Sequence, residues 1–92
     1  MTNFKQQQLI DEYLKAINEK FPEVQFISVS ESPEDPADLW LNVTTPPDED
    51  RELELLEFTG DKSTDILLDY GYQILVMPRS QEEAARMSMH SA

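Results

Sequence analysis

At 92 residues, with a formal net charge of −12, 39% apolar residues and no cysteine, the chain is sized for one domain with a modest core. The absence of cysteine excludes disulfides, thiolate catalysis and cysteine-based metal sites. No apolar run approaches the roughly 20 residues of a membrane-spanning helix, and Met1 to Gln8 does not read as a secretory leader, so the expected compartment is the cytoplasm.

Leu9, Ile10, Tyr13, Leu14, Ile17 and Phe21 recur at three- and four-residue intervals, which predicts an amphipathic helix. Thr2 or Asn3 is suited to cap it, and Pro22 ends it. Val24 to Ser30 is rich in β-branched and aromatic residues and reads as a strand, with Val24 and Phe26 on one face and Ile27 and Val29 on the other. Glu31 to Asp38 holds two prolines and four acids and reads as a loop. Leu39 to Thr45 alternates cleanly, with Leu39, Leu41 and Val43 on one face and Trp40, Asn42 and Thr44 on the other. The two strands therefore form an antiparallel hairpin around a long acidic loop.

Asp48 is a suitable N-cap for a second helix, and Glu49, Asp50 and Glu52 suit its positive end. Leu53, Leu55, Leu56, Gly60, Ser63, Ile66, Leu67 and Tyr70 fall on one broad arc, expected to meet the sheet. Gly60 either allows a close approach to the sheet or breaks the helix in two, and Gly71 closes it in the left-handed conformation. Tyr72 to Met77 is the third strand, ended by Pro78. Beyond it, Ser80 and Glu83 have capping-box spacing, so residues 80–92 form a short helix or a frayed tail outside a domain of residues 1–79.

A strand–helix–strand unit predicts that the second and third strands are parallel. The expected fold is an α+β two-layer sandwich of order α-β-β-α-β, with both helices on one face of a three-stranded mixed sheet. Phe26, Leu41, Ile74, Leu14, Ile17, Leu56 and Leu67 are expected to meet in its core. The opposite face then carries Ile27, Val29, Trp40, Leu75 and Met77, more apolar area than a solvated face normally shows. That points to a homodimer or another partner at this face, the alternative being that loops or the C-terminal segment fold over it.

The charge is concentrated. Asp48, Glu49, Asp50, Glu52, Glu54, Glu57, Asp61, Asp65 and Asp69 face only Arg51 and Lys62 over residues 47–69, a net of −7. Such a field repels phosphate backbones and anionic membranes and attracts cationic surfaces. Nucleic acid and membrane are accordingly not expected partners; a basic protein is. Phe58 and Leu68, placed by the wheel among the acids, are candidate anchors for it, the alternative being that a break near Gly60 rotates Phe58 back into the core.

Catalytic signals are sparse. His90, the only histidine, stands near the C-terminus, and Gly60 and Gly71 are the only glycines, so no phosphate-cradling loop or nucleophile elbow is present. Asp61, Asp65 and Asp69 line one helical strip and are the candidate ligands for a hard cation. No cofactor is expected. The leading reading is an interaction module of inhibitor, antitoxin, immunity or adaptor type; a metal-assisted enzyme using those aspartates and a small-ligand-binding domain are the alternatives.

Overall fold

A computed structural model describes residues 3–35, 37–80, 82, 83, 85 and 86. Five elements follow in the order α1 (Phe4–Lys20), β1 (Phe26–Glu31), β2 (Leu39–Thr44), α2 (Glu49–Tyr70) and β3 (Ile74–Arg79). β2 is the central strand, antiparallel to β1 and parallel to β3. The expected α+β sandwich is therefore present, and its strand order is β1-β2-β3.

Local chemistry sets the element ends. Asn3 caps α1 in a reciprocal pair with Gln6, the Asn3 side chain accepting from the Gln6 amide at 2.8 Å. Asp48 caps α2 by accepting from the Asp50 amide at 2.9 Å. Gly71 closes α2 at φ 74°, and its amide donates to the Leu67 carbonyl at 2.9 Å. Gly60 does not interrupt α2, which runs unbroken for 22 residues. Nor does it lie against the sheet, because a Cβ built there meets no heavy atom within 4 Å.

Both helices supply side chains to one core. Leu9, Ile10, Tyr13, Ile17, Phe21 and Val24 meet Leu39, Leu41, Val43, Ile74 and Val76 of the sheet, with Leu55 from α2. The sheet residues in this set pair as Leu39 with Ile74 and Leu41 with Val76, so they share one face. A polar chain ties the layers together. The Tyr13 hydroxyl donates to the Thr59 carbonyl at 2.7 Å and lies 2.9 Å from the Ser63 hydroxyl, which donates to the Ile74 carbonyl at 2.6 Å. Burial lifts the Tyr13 pKa to about 12, partly countered by the Ser63 hydrogen bond.

Three expectations are corrected. The arc of α2 that meets the core is Leu55, Thr59 and Ser63, with Phe58 and Ile66 packed beside them, whereas Leu53, Leu56 and Leu67 are exposed. The helix is turned so that Phe58 faces α1, where its ring lies 5.8 Å from that of Phe21, and the Tyr13–Thr59–Ser63 contacts hold that rotation. β1 contains a bulge between Phe26 and Ser28. The irregularity places Val29 opposite Leu41 and brings Ser28 and Ser30 opposite Asn42 and Trp40. Val29 therefore does not share the Trp40 face, Ile27 has no partner in the register, and Phe26 is half-exposed at the sheet edge.

β3, finally, continues through Pro78 to Arg79. The Gln73 and Arg79 carbonyls accept from Leu39 and Thr45 of the β2 side, so alternation turns the backbone groups of Ile74, Val76 and Pro78 to the open edge. The missing Pro78 amide is on that edge and costs no ladder bond. After β3, the amide of Glu83 donates to the Ser80 hydroxyl at 3.2 Å, and residues 82, 83, 85 and 86 are helical. The expected tail continues to 92, and Gln81, Met87, Met89 and His90 lie outside the described residues.

Candidate functional site

The bulge changes the sheet face away from the helices. Its occupants include Ser28, Ser30, Trp40, Asn42, Leu75, Met77 and Arg79. Asn42 is fully buried and donates to the Ser28 carbonyl and to the hydroxyls of Ser28 and Ser30, at 3.3, 3.3 and 3.0 Å. Arg79 donates to the Asn42 side-chain oxygen at 2.9 Å, and its guanidinium lies 5.8 Å from the Trp40 ring centroid. Trp40, Leu75 and Met77 are half-buried. This face is thus a satisfied polar network with Arg79 against the indole. It is not the continuous apolar sheet that Ile27 and Val29 would have completed, and it offers less apolar area to a homodimer through Trp40 than the sequence suggests.

An unpartnered apolar surface lies on the flank of α2 towards β3. Leu53, Leu56, Gly60 and Leu67 repeat at heptad spacing, with Leu53 61%, Leu56 46% and Leu67 43% exposed. Between this stripe and the β3 edge runs an open groove of about 410 Å³, lined by Leu56, Gly60, Thr64, Leu67, Leu75 and Met77 among others. Two residues expected at a contact surface, Leu75 and Met77, therefore line it, joined by Leu56 and Leu67, which were expected in the core. Leu68 is 77% exposed on the outer side, as expected of an anchor, whereas Phe58 is packed against α1. The signal for the groove was present in the sequence as a second apolar stripe on α2.

Its rim is acidic. At 100° per residue, Glu57, Asp61 and Asp50 follow the leucine stripe on its solvent side, and Glu49 continues it at the N-terminal end. The bases are turned elsewhere. Arg51 grips Glu23 with two hydrogen bonds of 2.8 and 3.2 Å and Glu54 with one of 3.1 Å, holding the Glu23 carboxyl below its ordinary pKa. Lys20 and Lys62 lie 4.9 and 6.0 Å from the Phe58 ring centroid, and Lys5 lies 4.4 Å from that of Tyr70.

Asp61, Asp65 and Asp69 do not assemble a metal centre. Asp65 and Asp69 line a cleft with Glu12, Tyr13 and Lys62, and Asp61 stands outside it. Among the described residues, no group of three or more histidine, cysteine or carboxylate side chains is placed to hold an ion. The physical reason is that one exposed helical strip spreads its carboxylates, and Glu12, across the cleft on α1, does not complete a cluster with Asp65 and Asp69. No buried side-chain nitrogen or oxygen among the described residues lacks a hydrogen-bond partner, so no orphaned polar group marks a small-ligand site. A second groove, about 540 Å³, runs between α1 and β1, with Lys15 as its only charged lining residue. It is larger, and Lys15 gives its lining a positive charge, where the lining of the α2 groove holds no charged residue. Among the described residues no helix is long and apolar enough to cross a membrane.

Comparison with protein-family models, with curated proteins and with solved structures finds no match.

Proposed function

We propose that the protein is a small acidic interaction module that binds a basic protein partner, in the manner of an inhibitor, antitoxin, immunity protein or adaptor. The observation that carries this reading is the pairing of exposed leucines with carboxylates on α2, while the neighbouring bases are engaged within the chain. Apolar anchors inside a charged rim give an interface both burial and electrostatic choice of partner. The acids of α2 also extend where they do not help the fold. Asp65 and Asp69 stand near the negative C-terminal end of the helix, whose last turn holds no base. A local rule broken at a surface, without compensation in the fold, fits a surface kept for a partner.

Affinity capture from the native cell, repeated with a Glu57→Lys/Asp61→Lys variant, tests the reading. The expected partner is basic, is released by salt, and is lost with the charge reversal. A partner retained by the variant, or an acidic one insensitive to salt, would contradict the proposal.

A further inference from the structure

We infer that the groove between α2 and the β3 edge receives a basic amphipathic helix, one large apolar side chain of which enters the dimple at Gly60. The inference rests on the interaction-module reading and specifies the partner's form.

Geometry favours a helix over a strand. Two of the outward-facing β3 groups are already blunted, since the Ile74 carbonyl accepts from Ser63 at 2.6 Å and Pro78 carries no amide hydrogen. An added strand would find an interrupted ladder there. The leucine stripe, in contrast, is straight and heptad-spaced along a helix of 22 residues, about 33 Å long. That is the form of a helix-in-groove site. Midway along it, Gly60 leaves open space where any other side chain would project, with Leu56 and Leu67 on either side and Leu75 and Met77 of β3 opposite. A knob from a facing helix fits such a hole.

Charge selects the occupant. The outer rim holds Glu57 and Asp61, so a second copy of this chain would set carboxylate against carboxylate. A helix with lysine or arginine flanking its apolar seam would set opposite charges together. Specificity then comes from repulsion of the wrong partner as well as attraction of the right one.

The test uses the full chain and a synthetic peptide of about 20 residues, roughly 30 Å long as a helix. It carries leucine at the seam positions and lysine beside them. One control replaces lysine by glutamate; another keeps the composition and scrambles the order. Calorimetric titration should show binding to the basic peptide, none to the glutamate peptide, and at least roughly tenfold weaker binding to the scrambled one, as loss of central anchors implies. Gly60→Leu, which fills the dimple, and Leu56→Ser, which removes an anchor, should each weaken binding by a similar factor, while Gly60→Ala retains it. Circular dichroism confirms that each variant is folded.

Equal affinity for the ordered and scrambled peptides overturns the groove but leaves the acidic-module reading standing. Failure of both basic peptides to bind counts against both. A wild-type dimer that Gly60→Leu converts to a monomer would make the occupant a second copy. Peptide binding that requires deletion of residues 80–92 would make it the chain's own C-terminal segment. Either result overturns the inference.

Discussion

Gly60→Ala isolates the backbone contribution of one residue. Gly60 is in the middle of α2, and a Cβ added there meets nothing within 4 Å. The substitution therefore creates neither a clash nor a new contact. What remains is the helix-propensity difference, about 0.8–1 kcal/mol in favour of alanine, which acts largely through the entropy of the unfolded chain. For a chain of 92 residues, that gain raises Tm by about 4–8 °C. Urea denaturation followed by far-ultraviolet circular dichroism should show a higher midpoint with an unchanged slope. Gly71→Ala is the counterpart, because its φ of 74° forces alanine into the left-handed region, and it should lose roughly 1–2 kcal/mol. An unchanged or lowered midpoint for Gly60→Ala would mean instead that α2 is bent at Gly60 or that part of the free chain packs there.

The adjacent residues Leu55 and Leu56 test the rotation of α2. Leu55 is fully buried and Leu56 is 46% exposed, so Leu55→Ala should cost about 2–5 kcal/mol and Leu56→Ala well under half as much; reversed costs would restore the arc expected from the sequence. Tyr13 makes stability depend on alkaline pH. Its folded pKa is raised to about 12 from 10.0, so the folded state holds its proton more tightly than the unfolded state, and stability falls as pH rises from about 10 towards 12. Chemical denaturation over that range should show the loss in wild type and a smaller one in Tyr13→Phe; equal losses would count against a buried Tyr13. Salt should raise Tm between low and physiological ionic strength by screening the carboxylates of α2, whereas a fall would show that pairs such as Arg51–Glu23 outweigh the repulsion.

Much of the fold was legible because its signals are local. Asn3, Asp48 and Gly71 mark helix ends by chemistry that needs no tertiary context, and the alternation of Leu39 to Thr44 marks a strand whose Leu39, Leu41 and Val43 enter the core. The two largest misreadings arose where tertiary contacts choose between local alternatives. α2 carries two apolar stripes, Leu55/Phe58/Ile66 and Leu53/Leu56/Leu67, and the helical period does not say which meets the sheet. The Tyr13 contacts to Thr59 and Ser63, far away in sequence, accompany the one that does. In β1 a single bulge alters the register and turns serines, not Val29, towards the Trp40 side. The polar Asn42 at the centre of the sheet was the available hint, since a buried amide needs partners and Ser28 and Ser30 supply them. The candidate site was half visible: its acids and Leu68 could be read, but its leucine wall was assigned to the core.

Amide chemical-shift mapping of the labelled protein, titrated with the basic amphipathic peptide, locates the binding face residue by residue. The largest shifts are expected at Leu53, Leu56, Gly60, Thr64 and Leu67, continuing to Leu75 and Met77, with Ser28, Trp40 and Asn42 unmoved. Shifts centred on Trp40 and Asn42, or spread evenly over the acidic surface, would contradict binding in the α2 groove.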